Sequence, residues 1–346
     1  MRILVIRLSA MGDVALSLPV VKAFVTKYPG CEIVFLTRKA FGSYFRNIPE
    51  LTIYAPDLEA RHKGLMGIFR LFRDLQGTGR FDCVIDLHDV LRSKVIRLLF
   101  RMSGTRVVCI DKGRKEKNEL IGGRKKKRLK HTVERYADTF RRAGFDFEPV
   151  KGKCIYPEDD AWAKAASLLS GTKETLNVGI APFAKHALKQ WPAGKMIRLM
   201  EMISAAKRTH FWLFGGKDEC AQLTEIEKSV PGVVSLCGRL TIEEEMAVMG
   251  HLDFMITMDS SNMHMAALAG TRVISIWGAT DPMAGFGAWG QPEEYSLGIS
   301  HSVLPCRPCT VYGRGKCRRG DFACMEWLTP EQVYEKLVEL SLIKVS

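Results

Sequence analysis

Three short segments of this 346-residue chain combine charged, hydroxyl and small residues in patterns suited to binding an anion. The first, residues 9–13, lies between an apolar stretch and a helical pattern, so its backbone N–H groups can approach a ligand at a helix N-terminus. Gly12 permits a tight turn or a close ligand approach. Asp13 is either the N-cap of that helix or a carboxylate at the ligand-binding edge of a parallel sheet, and the pattern leaves both roles open.

The second segment, residues 182–192, carries Lys185, His186 and Lys189 directly after a predicted strand. Lysine binds phosphate as a point charge. This loop is therefore predicted either to hold a phosphate or to be an exposed loop anchored by Trp191.

The third segment, residues 257–270, runs from an apolar strand through Asp259, Ser260 and Ser261 into an alanine-rich helix. The carboxylate and the hydroxyls are expected near the helix N-terminus, where unpaired N–H groups and the helix dipole favour an anion. His264 is either a core histidine or part of the same site.

Several familiar binding motifs are absent from the sequence. There is no Asp-x-Asp pair, the simplest clamp for Mg²⁺ on a diphosphate, so lysines and helix dipoles would have to meet the charge of a leaving phosphate. Residues 9–13 do not have the G-x-G-x-x-G pattern, so no dinucleotide fingerprint follows the first strand, and the chain has neither a Walker A loop nor a G-x-S-x-G elbow.

Ten cysteines fall into two groups. Arg7 and Asp13 interrupt the apolar N-terminus, so no signal peptide is predicted and the thiols are expected to stay reduced. Six scattered cysteines are predicted to be small core residues: Cys31, Cys83, Cys109, Cys154, Cys220 and Cys237. The other four, with C-x2-C-x7-C-x6-C spacing, predict either a metal or redox-labile cluster, with structural zinc as the candidate, or unligated loop thiols: Cys306, Cys309, Cys317 and Cys324.

The chain carries 51 Lys+Arg against 38 Asp+Glu, a formal charge of +13 that predicts an acidic partner. Residues 112–130 hold ten Lys or Arg and two Glu, hence +8, centred on Arg124-Lys125-Lys126-Lys127-Arg128. This basic run is either a solvated loop or a patch for an anionic partner. It lacks the aromatic residues that single-stranded nucleic acids stack upon.

Apolar runs alternate with amphipathic helical windows along the chain, an order typical of a parallel sheet covered by helices on both faces. The pattern restarts after a connecting stretch at 149–157, so two α/β domains are predicted, at 1–157 and 158–346. A final helix, with proline at its start, is predicted at 330–343. Strands are predicted at 3–7, 32–36, 83–87, 106–109, 176–180, 211–214, 254–257 and 273–277, and helices at 14–27, 65–75, 91–102, 131–143, 160–169, 194–206, 218–229, 242–250 and 263–269.

In five ordered motifs the chain resembles glycosyltransferase family 9, the ADP-heptose:lipopolysaccharide heptosyltransferases. The motifs are Ser9-Ala10-Met11-Gly12-Asp13-Val14 with Leu18-Pro19, residues 81–87 with Leu91-Arg92-Ser93, residues 131–136, Lys189-Gln190-Trp191-Pro192, and residues 259–264 through 278–282. The resemblance implies a GT-B fold, in which two Rossmann-like parallel-sheet domains face a cleft and the last helix packs back on the first domain. It also implies an inverting transfer, without a catalytic metal, of a heptose or related sugar from an ADP-sugar donor.

The resemblance assigns roles to residues of this chain. Asp13 is implied to be the general base, and Lys189 to hold the donor diphosphate. Further donor contacts are implied at Lys185, Glu219, Leu240, Thr241, Asp259, Ser260, Ser261, Asn262 and His264. Acceptor contacts are predicted at Ser9, Met11, Gly12, Arg92, Arg124, Lys125, Lys126, Lys127 and Arg128.

The predicted acceptor is a lipopolysaccharide core or lipid A bearing phosphates, and the enzyme is predicted to be cytoplasmic and peripherally bound to the inner membrane. In that setting the basic run would face an anionic surface. Two alternatives remain at the level of the sequence: a nucleic-acid-binding protein that uses residues 112–130, and a non-catalytic homologue that binds a sugar nucleotide.

Overall fold

The computed structural model describes residues 1–123, 126–172 and 174–343. The strands are β1 (Arg2–Ile6), β2 (Glu32–Leu36), β3 (Leu51–Tyr54), β4 (Cys83–Asp86), β5 (Arg106–Cys109), β6 (Leu176–Ala181), β7 (Thr209–Leu213), β8 (Val233–Ser235), β9 (Phe254–Met258), β10 (Arg272–Ile276) and β11 (Ser296–Leu297). The α-helices are α1 (Met11–Ala15), α2 (Leu18–Lys27), α3 (Gly64–Gly77), α4 (Leu91–Met102), α5 (Arg114–Ile121), α6 (Thr132–Arg142), α7 (Asp159–Leu168), α8 (Ala193–Ala206), α9 (Cys220–Ser229), α10 (Ile242–Met249), α11 (Ser261–Ala269), α12 (Ala323–Glu326) and α13 (Pro330–Glu339).

These elements form two compact units. Unit 1 comprises Met1–Gly113 and Lys130–Cys154, and unit 2 comprises Arg114–Leu129 and Ile155–Ser346. Each unit contains one parallel sheet, as the alternation of apolar runs and helices predicts.

The sheet of unit 1 has the strand order β3-β2-β1-β4-β5. Its central strand β1 is buried on both faces, with Ile3 through Ile6 fully inaccessible, which explains the uninterrupted apolar run. Ile6 pairs with Leu36 on one side and with Asp86 on the other. The order of the strands therefore reverses at the carboxyl end of β1, where open α/β sheets place their ligands.

The sheet of unit 2 has the strand order β11-β10-β9-β6-β7-β8. The chain runs outward from β6 to β8 on one side, then returns to add β9, β10 and β11 on the other. The reversal falls between β6 and β9, so the loops after these two strands share the ligand-binding edge.

The helix predicted at 14–27 is in fact two helices, α1 and α2. Pro19 has no N–H to donate and lies in the first turn of α2, where that N–H has no partner in a helix. The Ser17 hydroxyl donates to the Val14 carbonyl (2.6 Å) at the break between the helices.

The last helix, α13, packs on α8 of unit 2, with Val333 and Leu337 fully buried in the core of that unit. Its packing on the first domain, which the resemblance implied, stays a prediction. The Trp191 indole donates to the Leu328 carbonyl (3.1 Å) and secures the approach to the helix.

Most of the basic run belongs to unit 2 and not to the first domain, where it was predicted. Residues 112–130 were assigned to the first domain, yet Arg114–Leu129 cluster with unit 2. Part of the run forms α5, whose Leu120 is buried and whose Lys117 ammonium lies 4.2 Å from the centre of the Phe286 ring. Among the helices of residues 1–123, 126–172 and 174–343, none combines the length and the hydrophobicity that a transmembrane span requires.

Candidate active site

In unit 1, Asp13 lies just beyond the carboxyl end of β1 and is held by Arg7. Arg7 Nη2 lies 2.6 Å from Asp13 Oδ2 in a salt bridge. The Arg7 side chain is buried, whereas that of Asp13 is 31% exposed. Arg7 also donates through Nη1 to the Leu87 carbonyl (2.7 Å). Burial opposes the charge of Arg7, but the neighbouring Asp13 outweighs it and the pKa of Arg7 is raised. The guanidinium therefore stays charged and fixes a reachable carboxylate.

Asp13 is not the N-cap of its helix. Ala10 occupies that position, and Asp13 lies three residues later with its carboxylate accepting from the Ala10 N–H (3.3 Å). The Tyr136 hydroxyl donates to the Asp13 carbonyl (3.2 Å), so backbone and side chain are both positioned. Of the predicted neighbours, Ser9 and Gly12 lie in the same loop and first helical turn.

Met11 begins α1, next to this carboxylate, and Arg92 lies in the first turn of α4. The structure adds His88, which no pattern in the sequence indicated. Burial, with the charges of Arg7 and Lys112, lowers the pKa of His88 to about 3, and Arg92 acts in the same direction. The imidazole is therefore neutral at physiological pH.

The His88 ring faces the same loop as Asp13. Its Nε2 lies 3.4 Å from the Ser9 hydroxyl, and its buried Nδ1 has no hydrogen-bond partner in the described part of the chain. The His88 N–H is held by the fully buried Asp86 carboxylate (2.8 Å). A neutral imidazole in this position is suited to hydrogen bonding with a hydroxyl or phosphate of a ligand.

Three potential metal ligands also meet in unit 1. Oxygen or sulfur atoms of Asp86, Asp89 and Cys109 lie within 4.8 Å of one another. Arg97 Nη1 lies 3.1 Å from Asp86 and 3.2 Å from Asp89 and also contacts Cys109. Burial and Asp86 raise the pKa of Cys109 to about 11, so its thiol stays protonated. The arginine thus supplies this cluster with positive charge.

In unit 2, the loops after β6 and β9 bring Lys189 and Asp259 together. Lys189 Nζ lies 2.7 Å from Asp259 Oδ2, with side-chain exposures of only 16% and 8%. Trp191 is buried beneath the loop, its N–H donating to Met258 Sδ (3.3 Å), and Gln190 Nε2 donates to the Ala184 carbonyl (2.5 Å). The loop that carries Lys189 is therefore rigidly anchored rather than freely exposed.

The α11 N-terminus lies directly after Asp259. Ser260 occupies the N-cap, but its side chain does not cap the helix and instead lies 3.2 Å from the Thr257 hydroxyl. The first-turn N–H groups thus receive no bond from the Ser260 side chain, and they suit an anionic ligand. Ser261 and Asn262 form this first turn, and His264 is buried one turn further along.

A cleft of about 540 Å³ lies beside this loop, within the range of small-molecule sites. One wall carries the predicted residues Lys185 and His186, and the opposite wall carries Arg314 and Lys316. Burial, together with the charges of Lys189, Arg314 and Lys185, lowers the pKa of His186. The cleft is therefore strongly cationic and suited to a phosphorylated ligand.

The second wall was not predicted from the sequence, because Arg314 lies more than a hundred residues from Lys189 along the chain. Gly313 packs directly on the Lys189 side chain. A Cβ added at Gly313 would lie 2.6 Å from Lys189 Cγ, and its φ of +75° also favours glycine. The close contact at this glycine therefore sets the position of the lysine.

This second wall belongs to a segment that we call the Cys loop, residues 306–324. Its start is fixed by Arg307, a buried side chain that donates to the Gly278 carbonyl (2.6 Å) and lies 3.5 Å from the Asp281 carboxylate. The Cys309 N–H donates to the Ala279 carbonyl (3.0 Å). The Cys loop is therefore attached to the loop after β10, at the same sheet edge.

None of the four clustered cysteines forms a disulfide. The pKa values of three of their thiols are shifted. Burial and the neighbouring Cys306 raise the pKa of Cys309. Against the effect of burial, backbone N–H groups lower the pKa of Cys317. Burial raises the pKa of Cys324 to about 11. Among described residues, only Asp86, Asp89 and Cys109 of unit 1 bring three candidate ligand atoms within 4.8 Å of one another. A zinc ion bound by the four cysteines of the Cys loop therefore stays a prediction.

The remaining predicted donor contacts lie on the other flank of the sheet edge. Glu219 accepts from the Gly216 N–H (2.7 Å) after β7. After β8, Leu240 is half-buried and Thr241 caps α10, its hydroxyl accepting from the Glu244 N–H (3.3 Å). The two loops adjoin because β7 and β8 pair in parallel.

A disulfide joins these two loops. Cys220 and Cys237, predicted to be reduced core residues, are bonded to each other, so that prediction is corrected. The sequence alone could not pair them, since only the parallel pairing of β7 and β8 brings the loops together. The bond links the Glu219 loop to the Leu240 loop.

The basic run makes contacts within unit 2. Lys126 Nζ donates to the Pro305 carbonyl (2.9 Å), and Arg128 forms an ion pair with Glu293. Lys127 is exposed. Arg124 and Lys125 lie outside the described residues, and an acceptor role for the run stays a prediction.

Comparison with known proteins identifies relatives that match most of the chain. The sequence model of glycosyltransferase family 9 (heptosyltransferase) matches residues 68–313. Lipopolysaccharide heptosyltransferase 3 of Escherichia coli is 25% identical over 289 residues, covering 78% of this chain and 81% of the relative.

Solved structures agree with the fold. The glycosyl transferase family 9 structure from Veillonella parvula superposes with a TM-score of 0.78 at 17% identity, covering 99% of this chain and 97% of that one. The Escherichia coli ADP-heptose lps heptosyltransferase II superposes with a TM-score of 0.72 at 17% identity, covering 99% of each chain. With the two parallel sheets, these neighbours confirm the predicted GT-B fold class.

Proposed function

The chain belongs to glycosyltransferase family 9, and from that premise we propose that it transfers a heptose from ADP-heptose to a phosphorylated lipopolysaccharide core or lipid A acceptor. The names of its relatives, which include a lipopolysaccharide heptosyltransferase and an ADP-heptose enzyme, support this substrate pair. One observation carries the proposal: the buried Lys189–Asp259 pair stands at the sheet edge beside a cationic cleft.

In this proposal the diphosphate of the donor is bound by cations and backbone N–H groups. Lys189 and Arg314 contact its oxygens, with Lys185 at the rim and the α11 N-terminus completing the site. Asp259 accepts hydrogen bonds from hydroxyls of the heptose. On the disulfide-linked flank, Glu219 binds the ribose, and Leu240 and Thr241 flank the adenine.

The reaction moves one proton and one glycosyl group. Asp13 takes the proton of the acceptor hydroxyl, whose oxygen bonds to the anomeric carbon as the bond from that carbon to the diphosphate oxygen breaks. ADP leaves with the bonding pair, and the anomeric configuration inverts. A general base contributes about 10²–10⁴-fold, and Lys189 stabilises the charge that develops on the leaving diphosphate.

The acceptor is proposed to bind unit 1 around the fixed carboxylate. The salt bridge with Arg7 orients Asp13, the neutral His88 is available to a hydroxyl, and Arg92 suits a core phosphate. Ser9 and the N–H groups near Gly12 complete this side.

We also propose that the chemical step needs no metal and that the four cysteines of the Cys loop hold a structural zinc. The loop carries four free cysteines, and thiolates are ligands that zinc prefers. Zinc would contribute to folding of the loop that carries Arg314 and would take no part in a bond-breaking step. Elemental analysis of the purified protein and the effect of a chelator on donor KM test this role.

The test of the function is ADP release by purified protein given ADP-heptose and a phosphorylated core acceptor. Asp13→Asn should abolish transfer while ADP-heptose still binds, and Asp146→Asn, whose side chain is 88% exposed in the same unit, should behave as wild type. Tight donor binding without turnover by wild type would identify a non-catalytic homologue. Release of a different nucleotide in a donor screen would reassign the donor.

A further inference from the structure

Two neighbouring helices of unit 1 expose an unusual number of large apolar side chains. α3 and α4 pack side by side, with the Phe72 and Phe100 rings 4.9 Å apart between them. On the outward faces of the pair, six apolar side chains are between 46% and 76% exposed: Leu65, Met66, Phe69, Leu91, Leu98 and Met102. Among the described residues these make up six of the ten large apolar side chains exposed to this degree.

The spacing of these residues places them on one face of each helix. Leu91, Leu98 and Met102 are separated by seven and four residues, and Leu65 and Phe69 by four, which align along a helix. The opposite faces supply the core, where Leu71 and Leu75 of α3 and Ile96 of α4 are fully buried. The exposed apolar stripe is therefore additional to the stripe that folding requires.

The same outward surface carries only positive charge. Exposed cations flank the apolar stripes: Lys63, Arg70, Arg73, Lys94 and Arg101. The sequence of α4 contains no acid, and the single acid of α3, Asp74, is bound to Arg61 (2.8 Å) and His62 (2.9 Å). Lys94 lies 4.0 Å from the Asp89 carboxylate, and its side chain is 49% exposed.

We propose that this α3/α4 face binds the surface of an anionic phospholipid bilayer. Leucine, methionine and phenylalanine side chains insert at the boundary between headgroups and acyl chains, while Lys and Arg contact lipid phosphates. A second copy of the chain meeting this face symmetrically would place cations against cations, whereas anionic lipid satisfies both components. The inference rests on the proposed function for its purpose, because a lipid-anchored acceptor lies in such a membrane.

The test is flotation of the full-length protein with vesicles of phosphatidylglycerol and phosphatidylethanolamine, and with vesicles of phosphatidylcholine alone. Wild type should float with the anionic vesicles and release at high salt. The double variant Phe69→Glu/Leu98→Glu should float at least tenfold less. Leu168→Glu, an exposed apolar position of α7 in unit 2, should float as wild type.

Turnover on a water-soluble, deacylated acceptor separates this inference from the proposed function. The Phe69→Glu/Leu98→Glu variant should keep wild-type turnover there, which also shows that it is folded. Wild type that turns over the soluble acceptor without binding vesicles would overturn the inference and leave the function intact. Equal flotation of wild type and the double variant, or a dimer in light scattering that only the double variant dissolves, would also overturn it.

Discussion

Breaking the ion pair between Lys189 and Asp259 should destabilise unit 2, because neither partner is well exposed. Their atoms lie 2.7 Å apart, with side-chain exposures of 16% and 8%. At an effective dielectric constant of about 20, unit charges at that distance attract by about 6 kcal/mol, much of which offsets the desolvation of both ions. Removing one partner leaves a buried charge unpaired, so Lys189→Met should cost about 3–5 kcal/mol.

The assay is a double-mutant cycle of Lys189→Met and Asp259→Asn in urea. Tryptophan fluorescence reports on unit 2 alone, since all six tryptophans lie there. The two single variants should each be destabilised, and the double variant should recover, with a coupling of about 3 kcal/mol. Heptosyl transfer should be lost in all three, because each lacks a donor contact whether or not stability returns.

The control cycle uses an exposed ion pair of the same unit. Lys228 and Glu225 lie 3.1 Å apart with exposures of 66% and 74%, so Lys228→Met and Glu225→Gln should couple by less than about 0.5 kcal/mol. A coupling between Lys189 and Asp259 no larger than that of the control would show that this pair contributes no more to stability than an exposed one.

Three further predictions concern other contacts. Gly313→Ala should raise the KM for ADP-heptose about tenfold to a hundredfold in initial-rate kinetics, because its Cβ would lie 2.6 Å from Lys189 Cγ; an unchanged KM would contradict the contact. Burial raises the pKa of Glu245 from 4.5 to about 7. As the pH rises from 4.5 to 7, the unfolded chain loses a proton that the native state keeps, so the free energy of unfolding falls. Between pH 4.5 and a pH above 7, the free energy of unfolding in urea should fall by about 3 kcal/mol more for wild type than for Glu245→Gln. Parallel pH curves for the two proteins would argue against this. Dithiothreitol should lower the free energy of unfolding by about 3 kcal/mol, as expected for a disulfide across a separation of 17 residues, and Cys237→Ser should abolish that sensitivity; a reductant effect that persists in the variant would exclude this disulfide.

Elements with a strong apolar pattern were predictable, and those without one were not. The prediction at 32–36 matches β2, and that at 91–102 matches α4, because burial imposes an apolar run or a helical stripe. The edge strand β3 was missed, since three of its four residues are only partly buried. The helix α5 was missed because its sequence is mostly charged, and one of its inward positions is Lys117, which covers an aromatic ring.

The site shows the same division between local and long-range information. Lys189 and Asp259 could be proposed separately from their loops, since each follows a strand at a sheet edge. Their direct contact, and the packing of Gly313 on the lysine, depend on strand order and on a loop far along the chain. Arg7, which holds Asp13, was overlooked because its position at the end of β1 reads as part of a strand.

Mass spectrometry of the acceptor tests directly whether the chain transfers heptose. A deacylated, phosphorylated core acceptor incubated with ADP-heptose and wild-type protein should gain one heptosyl residue for each ADP released, and with Asp13→Asn it should gain none. A folded wild-type protein that binds ADP-heptose yet leaves the mass of this acceptor unchanged would exclude heptosyl transfer to it.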